Sequence, residues 1–175
     1  MNTKKYVKDI INAFQNVICV RVKKHGNRAW TQTVKEVIGE LGEKYKYRVY
    51  CSGLNRRYGR EWLYDLVWCK QGKWEALQSV PMVLESEWAR TTRAIMYDFE
   101  KLLVSNSPVK VMVFQSKENS YNDLFKHIKS AIKTYKQGSD CTYILACYLY
   151  VNETNMFKIA RVDVKQGVVS ELAYV

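Results

Sequence analysis

Tyr64-Asp65-Leu66-Val67-Trp68 and Met82-Val83-Leu84-Glu85-Ser86-Glu87-Trp88 are the two stretches that decide how this chain is read. Each is a run of strand-forming apolar residues interrupted by carboxylates. Asp65 is expected in the middle of one strand, and Glu85 and Glu87 at the end of another. Side chains alternate along a strand, so two glutamates two positions apart share a face of the sheet. Three carboxylates converging near a sheet edge repel one another and resist desolvation unless a divalent cation neutralises them. A few hard oxygen ligands, completed by water and phosphate, suit Mg²⁺ or Mn²⁺. The competing reading is a solvated strand end, or glutamates paired with neighbouring basic residues.

Working outward, the flanking segments alternate between helical and strand periodicity. Tyr6, Ile10, Ile11, Phe14 and Val17 recur at helical spacing, and Val17 to Val22 reads either as more helix or as a short strand. Trp30 to Tyr45 is an amphipathic helix with Val34, Val37, Ile38 and Leu41 on one face. Strands are expected over Tyr47 to Cys51, Glu61 to Cys69 and Val80 to Glu87, with a basic loop from Ser52 to Arg60 and a turn at Gln71-Gly72. Arg90 to Val104 is helical, Val109 to Phe114 a buried strand and Tyr121 to Tyr135 another helix. Three strands close the chain, Thr142 to Val151, Met156 to Val164 and Val168 to Ala173, separated by turns at Asn152 to Asn155 and Gln166-Gly167. The expected architecture is α/β, with helices flanking a mixed central sheet and an antiparallel extension at the C-terminal end.

At 175 residues, 47% apolar and 26% charged, the chain has the size and make-up of one globular domain. It has two prolines, no Gly/Ser-rich linker and no internal repeat, so residues 1–175 are read as a single domain. No apolar run reaches the roughly 20 residues that cross a bilayer. The first residues lack the pattern of a signal peptide, so a cytoplasmic protein without membrane attachment is expected. Five cysteines without a CxxC pair, and only two histidines, His25 and His127, argue against zinc. Cys51, Cys69, Cys141 and Cys147 sit among strand residues and read as reduced core thiols.

Twenty-eight Lys and Arg against 17 Asp and Glu give a net charge of +11. Such an excess favours polyanions, chiefly nucleic acid, through counterion release. The basic residues gather in expected loops, at Arg21, Lys23, Lys24 and Arg28 and at Arg56, Arg57 and Arg60. Arg56, Arg57 and Arg60 read either as a solvated loop or as grips on a phosphate backbone next to Asp65. Trp88 reads as a core ring or as a platform on which a base stacks.

The carboxylate pattern resembles the PD-(D/E)xK nuclease superfamily, which includes many restriction endonucleases. That family has an α-β-β-β-α-β core with a metal-binding Asp on the second strand and a (D/E)-x-K pair on the third. The match covers about residues 30–116, and leaves a helix and β meander over 117–175. Asp65 takes the Asp position and Glu85 the second acidic position, while Glu36 or Glu40 corresponds to an acidic residue often found on the first helix. The chain departs from the family in two places: Glu87 stands at the motif lysine, and Tyr64 rather than proline precedes Asp65. The resemblance implies an Mg²⁺-dependent endonuclease, with Mn²⁺ substituting, that hydrolyses phosphodiester bonds of DNA ahead of RNA, of the restriction or phage-defence kind. Asp65, Glu85 and the Ser86 carbonyl would hold the metal, Glu87 would orient water or help hold a second cation, and Lys101 would supply the missing positive charge. Restriction enzymes of this family often dimerise, so a homodimer fits the resemblance. The replacement of lysine by Glu87 leaves a second implication open, a catalytically inactive nuclease-like protein that binds nucleic acid or another partner.

Overall fold

The computed structural model describes residues 3–22, 26–54, 58, 60–136, 140–165 and 168–174, with backbone alone at 168, 169 and 171–174. The chain is α/β and divides into two compact units, Met1–Leu84 and Glu85–Val175, with the division falling inside a strand. His25, Lys23, Lys24, Arg56, Arg57 and the Gln166-Gly167 turn lie outside the described residues.

In the first unit, helices α1 (Thr3–Asn16), α2 (Ile18–Arg21) and α3 (Asn27–Lys44) accompany strands β1 (Arg48–Cys51), β2 (Leu66–Gln71) and most of β3 (Leu77–Glu87). The ambiguous Val17 to Val22 stretch is thus helical. Helix α1 buries Tyr6, Val7, Ile10, Ile11, Ala13 and Phe14, the face its periodicity marks out. The three strands are antiparallel neighbours: Cys51 lies opposite Leu66, and Leu66 opposite Leu84. Leu66, Val67, Trp68 and Cys69 are all buried, so β2 is covered on both faces.

Strand β2 begins later than its composition suggests. Trp62 and Tyr64 form only an isolated bridge, and Leu63 between them adopts a left-handed backbone at φ 65°. A branched side chain rarely takes that conformation, so nothing in the sequence announces the break. Asp65 therefore sits at a bend directly before β2 and not in mid-strand. The β2–β3 connection is a 3₁₀ turn, Lys73–Glu75, closed by a hydrogen bond from the Gly72 amide to the Ala76 carbonyl (2.9 Å).

Trp68 organises this core. Its indole N–H donates to the Ile38 carbonyl (3.1 Å), which ties β2 to α3, and Tyr6 and Tyr47 pack within 5.7 Å of it, ring centre to ring centre. Helix α3 can approach this ring because it carries Gly42 there.

The second unit holds α4 (Thr92–Val104), β4 (Val109–Gln115), α5 (Tyr121–Thr134), β5 (Cys141–Val151), β6 (Thr154–Lys165) and β7 (Val168–Tyr174). Thr91 caps α4 by accepting from the Ala94 amide (3.3 Å). Strand β4 runs parallel to β5, and β5, β6 and β7 form an antiparallel meander, so this sheet is mixed. Every residue of β4 is buried, including Lys110, whose ammonium donates to the Leu103 carbonyl (3.4 Å) and the Tyr143 hydroxyl (3.3 Å) on the paired strand. Among the described residues no helix is long and apolar enough to cross a membrane.

Two measurements test this packing. An added methyl at Gly42 would lie 2.6 Å from the Trp68 indole nitrogen and 2.7 Å from Val49. Alanine would gain about 1 kcal/mol of helix propensity but overpack the core by about 1–3 kcal/mol. Gly42→Ala should therefore lower the urea midpoint despite its better propensity. Burial pushes the Lys110 amine below its usual value of 10.5. The unfolded chain then binds more protons than the native one between the depressed value and 10.5, so stability contributed at this position rises with pH across that window. Relative to Lys110→Met, the wild type should gain up to about 1.4 kcal/mol per pH unit there, measured by urea unfolding.

Candidate functional site

On α3, Lys35 lies beside the apolar stripe of Val34, Val37 and Ile38 and is only 5% exposed. A buried ammonium must be paired with opposite charge or give up its proton more readily, as Lys110 does, and Lys35 is paired. Its Nζ stands 3.2 Å from Asp65 Oδ1 and 3.4 Å from Glu61 Oε2. The Ser52 hydroxyl donates to the same Glu61 oxygen at 2.5 Å. The turn at Leu63, where the Tyr64 amide donates to the Trp62 carbonyl (2.8 Å), separates Glu61 from Asp65 while both reach one lysine. Cys51 lies within this field, and burial is the main reason its thiol is pushed up to about 11, with Lys35 opposing and Glu61 and Asp65 reinforcing the shift. Glu61 also borders a cavity of about 250 Å³ whose walls include Tyr50, Arg60, Trp62 and Leu77.

In the second unit Glu85 is 3% exposed, which removes the solvated strand end as its explanation. Lys101, in the last turn of α4, reaches its Oε2 at 3.4 Å and Asp98 Oδ1 at 2.7 Å. Burial works against the charge on Lys101, but the hydrogen bond to Asp98 and the charges of Glu85 and Asp98 outweigh it and hold its pKa above the ordinary lysine range. Glu87 is half-buried, and its Oε1 accepts from the Ala89 amide (2.7 Å), bracing the exit from β3. Ser86 is half-buried between the two glutamates.

The remaining expected residues divide clearly. Glu36 is exposed on α3, and Glu40 pairs with Arg21 (2.7 Å). Arg60 is exposed on the cavity wall. Trp88 is 6% exposed, its ring meets Tyr148 edge to face at 5.9 Å, and its carbonyl accepts from the Gln115 amide. A ring packed this way is not presented for base stacking, which corrects that reading of Trp88.

Lys35 is the residue that sequence reasoning missed. Lysine is among the least buried residue types, so one beside an apolar stripe reads as solvated. A signal was available in Gly39 and Gly42, four and seven positions further on. At Gly39 an added Cβ would come within 2.7 Å of the Tyr58 ring, so this part of α3 is closely covered.

Among the described residues, no three or more His, Cys, Asp or Glu side chains are grouped so as to hold a metal. Mg²⁺ needs fewer, since it is commonly bound through one or two carboxylates with waters and substrate phosphate. Asp65 and Glu85 offer oxygen donors of that chemistry, each now engaged by a lysine. Compared with known proteins, the chain matches no family model, no curated protein and no solved structure.

Lys35→Met keeps the buried stem and removes the charge, leaving two carboxylates without their ammonium. Because Asp65 and Glu61 retain solvent contact, the loss should be about 1–2 kcal/mol and not the full cost of a buried pair. In urea unfolding at pH 7, Lys35→Met combined with Asp65→Asn should lose less than the sum of the single variants.

Proposed function

We propose that the chain is a metal-dependent nuclease with a restriction-endonuclease-like core, hydrolysing phosphodiester bonds of nucleic acid, DNA ahead of RNA. The observation that carries this reading is the element order α3-β1-β2-β3-α4-β4, with Asp65 directly before β2 and Glu85-Ser86-Glu87 closing β3. That order is the one the PD-(D/E)xK core has, with Asp65 one position before the second strand and Glu87 where the motif carries lysine.

In this reading the residues that would hold Mg²⁺ or Mn²⁺ are Asp65, Glu85 and, through its carbonyl, Ser86. When bound, such an ion polarises a phosphate and lowers the pKa of a coordinated water. Lys35 fixes the rotamer of Asp65 and Lys101 that of Glu85, so both carboxylates are oriented before any ligand arrives. Lys101, the more exposed of the two, would also supply positive charge in place of the motif lysine lost at Glu87. The net charge of +11 draws in a polyanion and makes its binding steeply salt-dependent.

The second reading, a nuclease-like binder without hydrolytic activity, is favoured by one observation. Glu87 spends an oxygen on the Ala89 amide, a structural task for a residue at the motif lysine position.

Mg²⁺-dependent cleavage of plasmid and oligonucleotide separates the two. Asp65→Asn and Glu85→Gln should each lower the rate by about 100-fold or more, since even outer-shell partners of a metal cost about 10–100-fold. Thermal melting of the same samples controls for unfolding. Equal cleavage by wild type and Asp65→Asn would end the assignment.

A further inference from the structure

The cavity bordered by Glu61 has the chemistry of a base-binding pocket. Tyr50 and Trp62 contribute aromatic surface, their ring centres 6.2 Å apart at an interplanar angle of 51°, and Leu77 adds an apolar wall. Arg48 sits 5.2 Å from the centre of the Tyr50 ring, and the Tyr50 hydroxyl accepts from Gln71 (3.1 Å), which also lines the cavity, so the Tyr50 ring is held in place. Trp62 and Leu77 remain 38% and 49% exposed, so the apolar surface is open to a ligand. Arg60, exposed on the same wall, adds positive charge.

Glu61 gives the cavity its polarity. One carboxylate oxygen, Oε2, is committed to Lys35 and Ser52. These contacts fix the group, and the other oxygen has no hydrogen-bond partner among the described residues. A fixed carboxylate oxygen beside aromatic surface is an acceptor for an N–H on a flat ring, the way carboxylates read the amino group of cytosine. Aromatic side chains take unstacked bases of single-stranded nucleic acid on their faces. The cavity is also linked to Asp65, because Lys35 holds Glu61 and Asp65 together.

We infer that this cavity receives an unpaired, amino-bearing nucleobase, which stacks on Trp62 with the inclined Tyr50 ring at its edge and donates its exocyclic amine to Glu61. The inference rests on the nucleic-acid reading above for the source of the base, and it does not require hydrolysis. It places one nucleotide of a strand next to the Lys35–Asp65 pair and gives the protein a preference for single-stranded or locally opened substrate.

The test is fluorescence anisotropy in EDTA, where no metal-dependent cleavage occurs, with labelled 12-residue oligo(dC), oligo(dU) and an abasic strand of equal length. The dC and dU strands differ at the pyrimidine ring only along the N3–C4 edge, where cytosine carries the 4-amino donor beside a bare N3 and uracil an N3–H beside a 4-oxo group that would face the carboxylate. Wild type should bind oligo(dC) about 10-fold or more tighter than oligo(dU), as one base-edge contact allows. Trp62→Ala should weaken oligo(dC) by about 5-fold or more, in keeping with the loss of a stacking platform. A mononucleotide, dCMP, that matches oligo(dC) in affinity would support the base pocket and assign its source to free nucleotides. Equal affinity for all three strands, unchanged by Trp62→Ala, would overturn the inference even if cleavage is observed. A dC preference without any cleavage would keep the pocket and remove the nuclease assignment alone.

Discussion

A carboxylate attached to a buried strand must be neutralised or lose its charge, and this constraint governs both halves of the chain. Asp65 enters a strand whose next four residues are covered on both faces, and Glu85 is itself almost fully buried. In each case the solution is a lysine from a helix: Lys35 of α3 for Asp65, and Lys101 of α4 for Glu85. The helices are thereby fixed electrostatically as well as by packing. Lys101 is the more exposed of the two and holds Asp98 as well, so it is a partner that can move. Lys35 has no such freedom, since its stem and ammonium are enclosed.

The packing around α3 explains why Lys35 can be there at all. Trp68 reaches across to the Ile38 carbonyl, and Gly42 lets the helix lie against the indole. A helix held that close brings its neighbouring positions near the start of β2, where Glu61 and Asp65 wait. Stability and candidate chemistry are therefore coupled in one element: loosening the aromatic cluster would also loosen the lysine that orients Asp65. The left-handed Leu63 is part of the same arrangement, because a straight strand would hold Glu61 and Asp65 roughly 13 Å apart, too far for one ammonium to reach both. Such backbone costs of order 1–3 kcal/mol and persists where the surroundings demand it.

Much of the fold could be read from the chain. Long periodic segments such as Tyr6 to Phe14 and Ile95 to Leu103 became the helices their spacing implies, because their apolar faces are the buried ones. The runs around Val83, Met112 and Leu145 became strands for the same reason. What escaped the reading depended on contacts distant in sequence. Leu63 and Trp74 take left-handed backbone that their side chains do not advertise, so β2 starts late and the hairpin turn is unusual. Lys110 and Lys35 are buried although lysine normally marks the surface. Of the site, the acidic positions were visible as charges inside apolar runs. Their lysine partners were not equally so: Lys101 was foreseen as a source of charge, Lys35 was not. Trp88 follows the acidic pair so closely that sequence alone could not separate a stacking role from the packed one the structure shows.

The central claim is that Asp65 and Glu85 are metal-holding carboxylates kept in place by lysines. Manganese anomalous scattering from crystals grown with Mn²⁺ tests it most directly. The account predicts a peak within bonding distance of these carboxylates, with the more exposed Lys101 drawn off Glu85. Carboxylates that stay on Lys35 and Lys101 in saturating Mn²⁺, with no anomalous peak beside them, would contradict it.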